Sequence, residues 1–411
     1  MMVRVIAALF CVARASAWQL GALSVRHAPL GLRTAHHAGP TAAALSARRT
    51  PLGVRTAARA SAAVPAVPLG ADGGGGGELI ETCDTTDVEF CEPVLAEAAP
   101  AASGLPRLIK LATLFGLWYA LNVAYNIGNK LVLTALPIPW TAATVELFFG
   151  LPYVLLLWGT GLRKTPKLSF ADVRKLASQG FFLAATHVGG VISFGAGAIS
   201  FTHVLKATEP VWSALLLAVC YKEFLPLPVY FSLVPIIGGV GLASLKELSF
   251  SWLSFTAAVL SAVASAAKAI LSKKVLDGKP LGENLTPANM FGVLTILGFL
   301  FILPVSLALE GPATIRTAFE AALAAGYTKA RLFKLLSVSG FLYYIYNEVA
   351  FLALSEVAPV THAVTNTVKR VVIIIVSILV FRTPLSPLGA LGSAMAIMGA
   401  AAYSLAKGKY K

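Results

Sequence analysis

The chain has 411 residues, 57% of them hydrophobic and only 13% charged, with a mean hydropathy of +0.77. Soluble chains run closer to half apolar and a quarter charged, so most of this chain has lipid as its solvent, which excludes an ordinary soluble enzyme, a disordered tail protein and a secreted disulfide scaffold. The net charge of +14 falls entirely after residue 100, where basic residues interleave with apolar spans; that pattern predicts a lipid bilayer and anionic partners, and no nucleic acid.

Residues 1–17 have a basic start at Arg4, an apolar run over 5–12, and Ala15-Ser16-Ala17 in front of Trp18. That is the pattern of a signal peptide, and the run is too short to span a bilayer. Residues 18–71 hold six Arg and no Lys, Asp or Glu, the composition of an organelle transit peptide. In series the two segments resemble the bipartite presequence of algae with secondary plastids, where an aromatic follows the cleavage site. A secreted precursor with a disordered proregion is the alternative. Residues 72–104, glycine-rich and then acidic, read as a disordered linker. Cys11, Cys83, Cys91 and Cys220 are too scattered for a disulfide framework or a zinc site, and no metal or cofactor is expected.

From residue 105 onward the pattern is that of spans. A bilayer core of roughly 30 Å takes about 20 apolar helical residues. Such runs lie at 111–129, 140–162, 176–221, 224–245, 248–267, 284–309, 335–355, 358–381 and 383–406. The run 176–221 is too long for one crossing and is expected to turn near 195–197, which makes ten spans. With both termini on one side, fourteen of the 25 Lys and Arg after residue 100 flank that side and seven the other, an asymmetry that supports the even count. The remaining four, Lys206, Lys268, Lys369 and Arg370, fall inside spans.

The halves also match each other. Tyr221-Lys222 corresponds to Phe381-Arg382, Gly239 to Gly399, Ser244-Leu245 to Ser404-Leu405, and Thr202-His203 to Thr361-His362. Five spans per half is an odd number, so a duplicated half re-enters the membrane inverted. The expected fold is all-α and integral to the membrane: ten transmembrane helices in two inverted five-helix repeats, over residues 105–411, behind a disordered targeting presequence. Such repeats place substrate where they meet, near the midplane.

Lys206 in the fourth span and Lys369 and Arg370 in the ninth all lie ~15 Å deep at 1.5 Å per residue. A cation there costs from ~3 to over 10 kcal/mol against lipid, so it should face a cavity or a counter-ion. Three cations converging on one cavity predict a site for a multiply charged anion. His362, Thr365, Asn366 and Lys369 share one helix face; so do Thr202 and Lys206, and Tyr343, Tyr346 and Asn347 form another polar stripe, with His187 at similar depth. A phosphate dianion accepts hydrogen bonds from such an inventory. Other readings stay open. Lys206 pairs structurally with Glu209, or it serves the site; Lys268 snorkels to the surface, or it faces the cavity. His203 and His362 are ligands or packing groups, and Glu146 and Glu348 serve proton coupling or packing pairs.

The segment Ser200-Phe201-Thr202-His203-Val204-Leu205-Lys206-Ala207-Thr208-Glu209-Pro210 resembles the fourth helix of plastidic phosphate translocators. Pro359-Val360-Thr361-His362-Ala363-Val364, running on to Val368-Lys369-Arg370-Val371-Val372, resembles their ninth. The likeness continues through Ser272-Lys273-Lys274, Glu310-Gly311-Pro312 and Phe381-Arg382-Thr383-Pro384, and covers the whole membrane region. This family, of the drug/metabolite transporter superfamily, exchanges inorganic phosphate for phosphorylated sugars or acids across the inner plastid envelope.

The resemblance implies that Lys206, Lys369 and Arg370 bind phosphate, that Tyr346 contacts it and that His187 reads the other end of the substrate. Lys268 falls where the family usually has a substrate-binding arginine, and loses its bidentate fork. Thr202, Glu209, His362, Asn366 and Tyr343 are expected in support. Gly190 stands where a phosphate-contacting hydroxyl is usual, and Thr365 replaces a glycine.

Subtype features diverge. His187 and Thr361-His362-Ala363-Val364 lean toward triose phosphate, Phe381-Arg382-Thr383-Pro384 toward phosphoenolpyruvate, and residues 388–397 toward hexose or pentose phosphates. The expected function is exchange of inorganic phosphate for phosphorylated C3 compounds (triose phosphate, 3-phosphoglycerate) by alternating access, in the inner envelope of a secondary plastid. Phosphoenolpyruvate, hexose- or pentose-phosphate exchange and nucleotide-sugar transport are the alternatives. The spans hold no Asp-x-x-Asp or His-x-x-Asp cluster, so no enzyme is expected. Three unpaired cations in the empty cavity are expected to oppose closure, which would make transport a one-for-one exchange.

Overall fold

The computed structural model describes residues 105–245, 247, 250–276, 281–357, 359–383 and 385–410. The expected signal peptide, transit peptide and linker lie outside the described residues, as do Cys11, Cys83 and Cys91. Within them the architecture is all-helical, as expected.

The helices are α1 (Leu105–Ala135), α2 (Pro139–Gly159), α3 (Phe170–Ala196), α4 (Ile199–Lys206), α5 (Glu209–Leu216, running into a π turn at Leu217–Tyr221), α6 (Leu227–Leu245), α7 (Trp252–Leu276), α8 (Pro287–Leu309), α9 (Pro312–Ala324), α10 (Lys329–Leu354), α11 (Pro359–Phe381) and α12 (Pro387–Lys409). Nine stretches of the described residues are long and apolar enough to cross a membrane, with α4 and α5 forming one of them. The helix α3, 27 residues long, stands outside that set. Gln179, His187, Ser193 and three glycines dilute its hydropathy, and these are residues that it buries against its neighbours.

Local sequence sets the helix ends. A proline opens α2, α8, α9 and α12, where its missing N–H costs nothing. Ser169 and Asp172 form a capping box at the start of α3, and Thr286, Thr328 and Ser386 cap α8, α10 and α12 through their side chains. No side chain of its own caps α2; instead Glu310, just past α8, accepts hydrogen bonds from the backbone N–H groups of Trp140 (3.2 Å) and Thr141 (2.8 Å).

The turn expected near 195–197 is present, with α3 ending at Ala196 and α4 beginning at Ile199. Two features were not foreseen. The fourth span is broken after Lys206, and residues 312–324 form a short helix whose Ile315, Ala318, Phe319 and Ala322 pack on the end of α1.

Helix partners follow a regular pattern. The helix α3 packs on α7 as α10 packs on α1; α3 meets α8 as α10 meets α2; α4 meets α7 as α11 meets α1. The pairs α2–α8, α4–α11 and α6–α12 map onto themselves under the same shift of five spans. Residues matched between halves also play matched parts. Lys222 (φ 59°) and Arg382 (φ 48°) both end their helices in the left-handed region, which is uncommon for such side chains. Gly239 and Gly399 both lie in the α6–α12 contact: a Cβ on Gly239 would sit 2.5 Å from the Ala396 N, and one on Gly399 would sit 2.9 Å from the Ile236 N.

Candidate substrate-binding site

A cavity of about 210 Å³ opens between α1, α3, α4, α7, α10 and α11. All four cations that the sequence placed inside spans line it: Lys206, Lys268, Lys369 and Arg370. His187, Glu209, Tyr343, Tyr346 and Asn366 line it too.

The break after Lys206 has a local cause. Pro210 has no N–H to give the Lys206 carbonyl four residues earlier, so α4 ends there and α5 restarts at Glu209. Arg370 takes up the freed group: its Nη1 donates to the Lys206 carbonyl oxygen at 2.5 Å, while Nη2 lies 2.8 Å from Glu209 Oε2. Both side chains of this pair are largely buried, at 13% and 12% exposure. Ser265 Oγ donates to the other Glu209 oxygen at 2.6 Å. The carboxylate therefore serves Arg370 and α7, and the local Lys206–Glu209 pair is not what forms. The expectation of three unpaired cations is overturned at Arg370, because the chain supplies its own carboxylate to the guanidinium.

Lys206 reaches into space left by a missing side chain. A Cβ on Gly190 would lie 2.8 Å from the Lys206 Nζ, so the glycine found in place of the expected hydroxyl admits the amine. The ring of Phe194 lies 5.9 Å from that amine. Lys369 Nζ sits 4.3 Å from the centroid of the Trp118 ring, a cation–π contact. Lys268 faces the cavity and does not snorkel away.

The aromatic wall is continuous. The Tyr125 ring lies 5.1 Å from that of Tyr346, and His187 stacks on Tyr343 with centroids 3.9 Å apart. His187 Nε2 is 3.2 Å from Glu146 Oε2. His203 faces Asn126, its Nε2 3.0 Å from the amide oxygen. Thr202 does not line the cavity. It is fully buried, with its hydroxyl 2.7 Å from that of Ser193 and 3.2 Å from the Ala198 carbonyl, which ties α4 to α3. The Thr365 hydroxyl donates to the Thr361 carbonyl of its own helix. The His362 side chain lies outside the described residues. Glu348 forms a part-buried ion pair with Arg163 away from the cavity.

Sequence reasoning missed one wall. Trp118, Asn122, Tyr125 and Asn126 of α1 line the cavity, and their spacing, with Asn129 one turn on, is that of a single helix face. Asparagines buried in an apolar span were the available signal. Four cations and one carboxylate on the lining leave an excess of three positive charges, which suits a small, multiply charged anion.

A model of the Triose-phosphate Transporter family matches residues 109–404. The chain belongs to that family. Among relatives, it is 40% identical over 328 residues to phosphoenolpyruvate/phosphate translocator 3, chloroplastic, of Oryza sativa subsp. japonica, covering 77% of this chain and 80% of the relative. It is 36% identical over 329 residues (79% and 83% covered) to glucose-6-phosphate/phosphate translocator 1, chloroplastic, of Arabidopsis thaliana. To the triose phosphate/phosphate translocator, chloroplastic, of Solanum tuberosum it is 37% identical over 298 residues (72% and 70% covered). Membership of the Triose-phosphate Transporter family makes the chain a transporter and not an enzyme. The three relatives are named for three different phosphorylated compounds, at nearly equal identity.

Proposed function

We propose that the protein is an antiporter that exchanges inorganic phosphate for phosphorylated C3 compounds, triose phosphate and 3-phosphoglycerate, by alternating access. The observation that carries the reading is the convergence of Lys206, Lys369 and Arg370, from counterpart helices of the two halves, on one cavity. In this reading the three cations hold the phosphoryl group with Tyr346. His187 and Lys268 face the rest of the substrate, and Glu209, Asn366 and Tyr343 support them. The halves act as inverted repeats that rock about the cavity. A cavity at or below the small end of ligand pockets suits a C3 metabolite better than a nucleotide sugar.

Charge supplies the coupling. Closing over the empty cavity would desolvate an excess of three positive charges, and a bound phosphate dianion lowers that to one. Return of the empty carrier is therefore slow, and transport is one-for-one exchange. The expected setting is the inner envelope of a plastid, a secondary one by the signal peptide (1–17), transit peptide (18–71) and linker (72–104) read from the sequence. The chloroplastic relatives support a plastid membrane.

The test is uptake of labelled phosphate into liposomes holding the purified protein, preloaded with one counter-substrate at a time. Uptake should need an internal phosphorylated compound, with dihydroxyacetone phosphate the best. Equal uptake into empty liposomes, or uptake only against a nucleoside monophosphate, would defeat the reading. Phosphoenolpyruvate exchange is the second reading, favoured by the 40% identity to a translocator of that name; phosphoenolpyruvate as the best counter-substrate would establish it.

A further inference from the structure

The α1 wall of the cavity holds a relay of hydrogen bonds whose direction is fixed at one end. Asn126 Nδ2 donates to the backbone carbonyl of Asn122 at 2.7 Å and to the Asn122 side-chain oxygen at 2.8 Å. A backbone carbonyl only accepts, so the nitrogen of the Asn126 amide has to lie on that side. Its oxygen is therefore the atom that faces His203, whose Nε2 stands 3.0 Å away and carries the proton of that bond. Both hydrogens of Asn126 Nδ2 are in use, and turning either asparagine amide over would set donor against donor.

The consequence falls on Asn122. Its side-chain oxygen is held by Asn126, so its own Nδ2 leaves the amide on the other side. Asn122 is 5% exposed and lines the cavity. Among the described residues none accepts from Asn122 Nδ2, and that nitrogen is not sealed from solvent. An uncharged donor is thus held toward the cavity, and its place along α1 says what it meets. One turn before it, Trp118 has the Lys369 ammonium 4.3 Å from its ring centroid. One turn after it, Asn126 meets His203, which lies one turn before Lys206 on α4. Asn122 therefore stands between the groups that bring two of the three central cations.

Resting on the phosphate-antiport reading, we propose that Asn122 is a further binding residue for the phosphoryl group, with Asn126 as the positioning residue that keeps its NH2 turned to the cavity. The chemistry suits an exchanger. A further cation would tighten the hold on phosphate but would add to the excess of three positive charges that an empty carrier has to close over. An amide adds a directed hydrogen bond and leaves that excess unchanged. Every substrate of the carrier shares the phosphoryl group, so Asn122 serves them all alike and selects none.

Asn122→Leu tests this, since leucine keeps the size of the side chain and removes its donor. In liposomes containing the full chain and preloaded with phosphate, KM for labelled phosphate should rise about tenfold to a hundredfold, the range of one hydrogen bond to an ion. Half-inhibition by dihydroxyacetone phosphate should need more of it by the same factor. A KM within about twofold of the wild type overturns the proposal, and so does a loss confined to dihydroxyacetone phosphate, which would place Asn122 at the other end of the substrate. If that variant does not insert, Asn122→Asp decides. It keeps the oxygen that Asn126 holds and sets a second oxygen where the donor was, so wild-type KM there also overturns the proposal. Asn126→Leu should raise KM by itself and add nothing to Asn122→Leu, because it acts only through that amide; independent, additive rises would assign Asn126 to packing and break the relay. Absence of phosphate exchange by the wild type with every compound would instead defeat the antiport reading.

Discussion

The two helices that bring Lys206, Lys369 and Arg370 to the cavity are counterparts under the shift of five spans, yet they are built differently. The helix α11 runs unbroken from Pro359 to Phe381 and carries Lys369 and Arg370 in mid-length. Its counterpart stops at Lys206 and restarts at Glu209. The unbroken helix brings Lys369 and Arg370 to the cavity as side chains. A break leaves carbonyls of the last turn without intrahelical partners, and one of these, on Lys206, accepts from Arg370. One half thus contributes cations, while the other contributes a cation together with the acceptors that hold Arg370. An anionic substrate has to take Arg370 from Glu209 or share it.

That division can be broken at three points. Arg370→Ala removes the group that both halves hold, and phosphate exchange in liposomes should fall at least a hundredfold, roughly the ~3 kcal/mol of a lost charged hydrogen-bonding group. Exchange within tenfold of wild type would sink the account. Glu209→Gln leaves the guanidinium without its carboxylate. Stability in phosphate-free detergent should fall by about 1–3 kcal/mol, and added phosphate should raise the unfolding temperature more than it does in the wild type. Equal phosphate shifts in the two proteins would mean that Glu209 does not stand in for the anion. The smallest effect is expected from Gly190→Ala. The new methyl would crowd the far end of the Lys206 side chain and lie in ordinary contact with the Ser261 hydroxyl, so the unfolding temperature should stay the same while KM for phosphate rises by roughly threefold to tenfold, within the ~1.4 kcal/mol of a tenfold change. A lowered unfolding temperature with unchanged KM would assign Gly190 to packing instead.

Much of this was legible without coordinates. Hydropathy located the spans, the glycines at 195–197 located the turn between α3 and α4, and matched residues such as Gly239 and Gly399 pointed to the packing symmetry. The depth of Lys206, Lys369 and Arg370 pointed to a shared cavity, because a cation that far from water needs a reason, and all three line it. The short helix α9 was missed although its apolar residues recur at helical spacing, since a 13-residue amphipathic segment does not register in a search for spans. The break at Lys206 was missed too, although Glu209-Pro210 marks it.

What distance along the chain could not settle was partnership. At three residues' separation Glu209 was one candidate mate for Lys206, yet it pairs with Arg370, 161 residues away. Thr202 shares a helix face with Lys206 but turns to Ser193, and Lys268 lines the cavity where the sequence also allowed it to snorkel. Glu146 was one buried acid among several until α1, α3 and α10 closed around it. Lipid solubility and helical periodicity are local sums over neighbouring residues, so composition and spacing report them directly. The choice of a charge's partner depends on distances between packed helices, and those come into being only when the whole bundle assembles.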